Sequence, residues 1–163
     1  MYLKPKIREK NGIVSFYDYE TVEGIIKYKY HKFGSRVFKL LSYTVLKPFA
    51  EYIKENLYIL PVDDKIKKGY SHTAIMAASM KTSYLTPLYS VLHSKSDIKY
   101  AGKSLEFRLK NSRNFKYTGL RDINVILVDD IATTGLTLKQ AEETLQKYGV
   151  NVVMRVVFSN LRK

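Results

Sequence analysis

Thirteen consecutive residues, Val125-Ile-Leu-Val-Asp-Asp-Ile-Ala-Thr-Thr-Gly-Leu-Thr137, constrain this chain more than any other feature. Val125 to Val128 is an unbroken apolar run, the pattern of a strand covered on both faces. Two adjacent carboxylates follow, then a loop of small and hydroxyl residues, then a helix opened by the capping box Thr137-x-x-Gln140. Open α/β sheets place their ligands just outside strand C-termini, so Asp129 and Asp130 are expected at the mouth of a site. Beside them, a helix N-terminus with unpaired N–H groups favours an anion. Thr133, Thr134 and Thr137 add hydroxyl donors, and Gly135 allows close backbone approach.

Two carboxylates repel a phosphate unless they face neutral hydroxyls or a cation, and a ribose ring with Mg²⁺ supplies both. A strand-end turn with a capping loop accounts for an isolated Asp-Asp, but not for the whole order of strand, acids, Thr-Thr-Gly and helix. A paired-acid metal site of the phosphate-receiver type leaves the Thr-Thr-Gly loop unexplained.

The rest of the chain reads as strands alternating with helices, the pattern of an α/β domain with a parallel sheet. Ile13 to Tyr19 is expected as a strand, and Thr21 as the cap of a helix burying Val22, Ile25, Ile26 and Phe33. A second helix starts at Gly34-Ser35 with Val37, Leu40, Leu41, Val45, Phe49 and Tyr52 on one stripe, kinked or broken before Pro48. Leu57 to Val62 reads as a buried strand, Asp63 to Tyr70 as a polar loop, and Ser71 as the cap of a helix through Ile75, Met76 and Met80. Leu88 to Leu92 is a further candidate strand, and Ser94 to Gly119 a long polar segment without periodicity. Thr137 to Gly149 is the last helix and Val152 to Phe158 the last strand. No internal repeat or boundary divides residues 1–163, and residues 1–56 are expected to pack on the core as a helical hood.

The formal net charge is +13. The segment 95–121 holds eight basic and two acidic side chains, whereas 122–163 holds five of each. So local a field attracts a polyanion: nucleic acid, an anionic lipid surface or a polyphosphate. No run approaches the ~20 apolar residues of a membrane span. Met1 to Lys10 lacks the apolar stretch of a signal peptide, and there is no cysteine; a cytoplasmic protein is expected.

Residues 125–137 resemble the signature by which type I phosphoribosyltransferases bind 5-phosphoribosyl 1-pyrophosphate (PRPP). The resemblance implies that Ala132, Thr133, Thr134 and Gly135 wrap the 5′-phosphate, with Thr137 beside them, while Asp129 and Asp130 contact the ribose hydroxyls of Mg²⁺-bound PRPP. Three further segments are similar to the ComF competence-protein branch: Ile59-Leu-Pro-Val-Asp-Asp-Lys-Ile-Lys-Lys-Gly-Tyr-Ser-His72, Glu23-Gly-Ile-Ile-Lys-Tyr-Lys-Tyr30 with Phe33-Gly34, and Ser112-Arg-Asn-Phe115. Asp63 stands where that branch has a second proline, Lys68 where it has arginine, and Ser71-His72 where it has Asn-Gln. Lysine keeps the charge but loses the bidentate fork. The four-cysteine zinc finger that usually opens ComF proteins has no counterpart in this sequence.

Lys65, Lys68 and Ser71 are the expected pyrophosphate loop. The basic segment resembles the loop that closes over PRPP in transferases, with Lys103, Arg108 and Arg113 reaching the pyrophosphate; a nucleic-acid surface is the other reading. Lys29 falls in the middle of the Val22–Ile25–Ile26–Phe33 stripe, where it either points into the cleft or snorkels. His31, His72 and His93 show no metal-ligand spacing with one another, and Tyr28-Lys-Tyr-His-Lys-Phe33 suits either base stacking or an amphipathic face. Two functions are expected of this pattern. One is a ComF-type PRPP-binding protein supporting DNA uptake, with single-stranded DNA and the uptake machinery as partners. The other is a phosphoribosyltransferase of nucleotide metabolism acting on an unidentified acceptor.

Overall fold

The apolar run at Val125 extends into a nine-residue strand, β7 (Asn124–Ala132), inside a six-stranded sheet. The computed structural model describes residues 4–63, 65–66, 69–95 and 113–161. Across the sheet the order is β1 (Arg8–Lys10), β2 (Ile13–Ser15), β8 (Asn151–Asn160), β7, β3 (Leu57–Pro61) and β4 (Leu85–Pro87). All pairings are parallel except β1 on β2. Val125, Ile126, Leu127 and Val128 are all fully buried, because both faces of the sheet are covered.

One face carries α1 (Tyr19–Lys27), α2 (Gly34–Glu51) and α3 (His72–Ser79), which bury Val22, Phe38, Leu46 and Met76 against Ile126 and Phe158. The other carries α4 (Leu136–Gln146) and an antiparallel ribbon of β5 (Leu92–Ser94) and β6 (Phe115–Tyr117). Their Leu138, Leu145, Leu92 and Phe115 pack on Leu127 and Val157. This is an α/β fold with a mostly parallel sheet flanked by helices, as expected. Among the described residues no helix is long and apolar enough to cross a membrane.

Several local expectations fail, each for a physical reason. Helix α1 begins after Asp18 rather than at a Thr21 cap, and ends at Lys27 in a 3-10 turn over Tyr28–Tyr30. That turn breaks the 3.6-residue phase, so Phe33 is 59% exposed instead of continuing the Val22–Ile26 stripe. Helix α2 restarts with its own phase, burying Phe38, Leu41, Ser42, Val45, Leu46 and Ala50; Leu40 and Tyr52 face solvent. Pro48 causes no break: α2 continues through it to Glu51, and only the Thr44 carbonyl, four residues back, is denied its N–H donor.

The expected strand at Leu88 to Leu92 is instead a turn with Ser90 at φ 56°, flanked by β4 and β5. The supposedly irregular basic segment contains β6 at its C-terminal end. Helix α4 starts at Leu136 after an N-cap at Gly135, φ 71°, two residues ahead of the expected Thr137 cap. Gln140 Oε1 therefore accepts a bond from the Arg113 N–H at 3.2 Å instead of closing that box. Ser71 does cap α3, its Oγ accepting from the Ala74 N–H at 3.2 Å.

Candidate functional site

Parallel pairing carries the C-terminal ends of β3, β7 and β8 to one edge of the sheet, and β7 delivers Asp129 and Asp130 there. The two carboxylates are locked by their own backbone. The Asp130 N–H donates to Asp129 Oδ1 at 2.8 Å, and the Ile131 N–H to Asp130 Oδ1 at 2.9 Å. Asp129 is half-buried and Asp130 only 7% exposed.

Three basic groups converge on this pair. Lys29 Nζ donates to Asp130 Oδ2 at 2.5 Å, from the turn that follows α1. His72 Nε2 stands 3.6 Å from the same oxygen, its ring held edge-on to Phe38 at 5.6 Å between centroids. Arg113 reaches toward the site from the start of the ribbon, with Nη1 3.9 Å from Asp63 Oδ2. The two carboxylates answer this field differently. Burial pushes Asp129 up to about 7, and repulsion from Asp130 adds to it, against the pull of Arg113. Burial also works on Asp130, but Lys29 first and His72 next outweigh it and hold that carboxyl down at about 2. The same dyad thus holds Asp129 above and Asp130 below the ordinary carboxylate value.

Past the dyad, Ala132 is buried and its carbonyl accepts the Leu161 N–H at 2.8 Å, which anchors the loop on the strand end. Thr133 is exposed; Thr134 and Thr137 are half-buried. Thr134 Oγ1 accepts from the Leu136 N–H at 3.3 Å, and Gly135 makes the left-handed bend that turns the chain into α4. A cleft of about 250 Å³ borders this bend, lined in part by Thr134, Gly135 and Lys139; Asp129 and Asp130 do not line it. A cleft thus adjoins the loop, separate from the dyad.

The other expected site residues are placed as follows. Lys65 Nζ donates to the Ser94 carbonyl at 2.6 Å, and Ser71 is buried as a helix cap with its Oγ 3.2 Å from Thr73 Oγ1. Lys68, Lys103 and Arg108 lie outside the described residues. Asp63, at φ 51°, accepts the Ser94 N–H at 3.0 Å, so the departure from proline at this position ties β3 to the ribbon. Lys29, read either as a cleft residue or as a snorkelling stem, has its ammonium bonded to Asp130 with its side chain 18% exposed.

Two residues escaped sequence reasoning. As a ligand, His72 has no spacing with the other histidines to mark it; its partners are the carboxylates at the end of β7. Ligand atoms of His72, Asp129 and Asp130 lie within 4.8 Å of one another, a mixed imidazole and carboxylate set that fits a divalent cation. Tyr70 is the second: its hydroxyl donates to the Lys29 carbonyl at 2.5 Å. Gly34 completes this contact, since a Cβ there would lie 2.4 Å from both the Tyr28 carbonyl oxygen and the Tyr70 hydroxyl. The available signal was positional: Tyr70 and His72 bracket the Ser71 cap at the head of α3, the helix after β3, and β3 lies beside β7.

No family model and no curated protein matches the chain. Among solved structures it is similar to a hypoxanthine phosphoribosyltransferase from Staphylococcus aureus (16% identity, TM-score 0.46, covering 77% of this chain and 64% of that one). It is also similar to Leishmania donovani UMP synthase (17% identity, TM-score 0.45, 94% and 27%) and to an adenine phosphoribosyltransferase from Saccharomyces cerevisiae (16% identity, TM-score 0.46, 98% and 85%). The chain thus spans less than two thirds of the length of the first two.

Proposed function

We propose that this chain is a phosphoribosyltransferase-like protein that binds Mg²⁺–PRPP at the end of β7. The observation that carries the reading is the continuous run from the buried strand through Asp129 and Asp130 and the bend at Gly135 into α4. Asp130, ionised and fixed by Lys29 and the Ile131 N–H, suits a sugar hydroxyl or a ligand-borne cation. Asp129 would take the neighbouring hydroxyl, and the Ala132–Gly135 backbone with the N-terminus of α4 the 5′-phosphate. Mg²⁺ bound with the ligand would offset the charge of the pyrophosphate. Arg113, together with Lys103 and Arg108, would stabilise the negative charge that grows on the departing pyrophosphate as the C1–O bond breaks. Lys65, Lys68 and Ser71 would face the same group. Lys65 would first have to give up its bond to the Ser94 carbonyl.

In this reading the protein is of ComF type and acts in DNA uptake in the cytoplasm, its basic segment meeting single-stranded DNA. The second reading, transfer of ribose 5-phosphate to an acceptor in nucleotide metabolism, uses the same site. The test is thermal: PRPP with Mg²⁺ should raise the melting temperature by mass action on the folded state. Asp129→Asn combined with Asp130→Asn should remove most of that rise, and an undiminished rise in a folded double variant would show the ribose assignment to be wrong. Pyrophosphate release with candidate acceptors would favour the enzyme. Salt-sensitive binding of single-stranded DNA, absent when Arg113 and Lys116 are reversed in charge, would favour the uptake role.

A further inference from the structure

Lys29 arrives at the dyad from 101 residues away, on a three-residue turn between two helices. Its Nζ takes the Asp130 oxygen that also lies 3.6 Å from His72 Nε2. His72, Asp129 and Asp130 are the donors that would share a divalent ion, their ligand atoms lying within 4.8 Å of one another. An ion bonded to a carboxylate oxygen sits about 2.1 Å from it. With the ammonium still 2.5 Å from that oxygen, the two cations would be about 4 Å apart in a poorly solvated place, where their repulsion is strong. Both cannot stay.

We propose that Lys29 is a tethered cation that competes with a divalent ion for Asp130, so that filling the His72–Asp129–Asp130 site releases the Tyr28–Tyr30 turn from the end of the sheet. The bonds that close the turn depend on that seat. The His31 N–H closes it on the Tyr28 carbonyl at 2.8 Å, and the Gly34 N–H bonds the His31 carbonyl at 2.9 Å. Against α3 it is held by the Tyr70 hydroxyl on the Lys29 carbonyl and by the close fit at Gly34. Displacing one ammonium therefore alters the seat of the whole connection between α1 and α2. By linkage the effect is reciprocal: whatever loosens the turn must tighten the ion. The inference shares with the proposed function only the idea that the dyad accepts a cation, and needs no PRPP.

The experiment uses Mn²⁺ alone, added to the full chain without any phosphate ligand and followed by loss of the free-ion electron paramagnetic resonance signal. Lys29→Met should bind Mn²⁺ about tenfold more tightly than the unaltered chain, within the usual range of such couplings. Tyr70→Phe, which loosens the turn but keeps the ammonium, should fall between them. Amide exchange at His31 and Gly34 should quicken with Mn²⁺ in the unaltered chain and stay unresponsive in Lys29→Met. Equal affinities in folded variants, or amides unmoved by saturating Mn²⁺, overturn the proposal. If Lys29→Met does not fold, Tyr70→Phe decides: unchanged Mn²⁺ affinity there overturns it. Mn²⁺ binding to no variant also sinks it, while leaving the PRPP thermal shift as a separate result.

Discussion

The end of β7 and the turn bearing Lys29 meet at one carboxylate oxygen, yet they are made in opposite ways. At β7, strand, acids, bend and helix follow one another within 23 residues, Asn124 to Gln146, and each is dictated by its neighbours. The turn at Tyr28–Tyr30 has almost no local rule behind it. Its place depends on Tyr70, on the missing side chain of Gly34 and on Asp130 itself. A site assembled from a contiguous segment is robust, because one stretch of sequence carries both its geometry and its chemistry. A site completed by a distant side chain is conditional, because the contact can be lost while the scaffold stays intact.

The sharpest way to break this comparison is Asp130→Asn. The Lys29 ammonium, with its side chain only 18% exposed, loses the carboxylate it is bonded to. Removing one member of a buried pair should cost about 3 kcal/mol in urea unfolding. A loss well under 1 kcal/mol would mean that the turn is seated without Lys29.

Asp129→Asn should move stability the other way. The raised carboxyl of Asp129 means that the folded state keeps a proton the unfolded chain has already released. The native protein therefore loses stability as pH rises from about 4 to 7, the interval between the unfolded and folded values, and the asparagine variant is spared that loss. With a chelator present, the variant should be the more stable at pH 8, and the gap should narrow as the pH falls to 5. Equal stabilities at pH 8 would show that burial does not strain Asp129.

The smallest effect is expected at Leu40, which helical periodicity places inward and α2 leaves 72% exposed. Leu40→Ser should change stability by no more than about 0.5 kcal/mol, as at other solvent-facing positions. A cost near that of burying a leucine would put this helix face against something in solution.

Leu40 also shows why part of the molecule was hard to read. An amphipathic pattern fixes a helix face only if the phase is continuous, and the 3-10 turn resets it between Val22 and Phe38. The faces of α1 and α2 are therefore set by packing on Phe158 and Ile126 across the sheet, which no window of sequence contains. The β7 strand, the dyad and the Ser71 cap were legible because each rests on contacts within a few residues. Strands β4 and β5 were missed for want of length: three residues each carry no period, and Ser90 in its left-handed turn lies between them. His72 and Tyr70 were invisible for a different reason. Their roles exist only once parallel pairing has set β3 beside β7 and the loop after β3 has brought the head of α3 to the dyad.

Gly34 gives this arrangement an unexpected mutational sensitivity. It bears no functional group and touches neither carboxylate. Even so, the smallest possible enlargement, one methyl, would push simultaneously on the Tyr28 carbonyl and the Tyr70 hydroxyl, both 2.4 Å from where it would stand. A scan that scores positions by chemistry would pass over this residue. In an inherited variant, however, a Gly34→Ala change would act as a wedge, prising Lys29 from Asp130 while every group able to bind or react was still present.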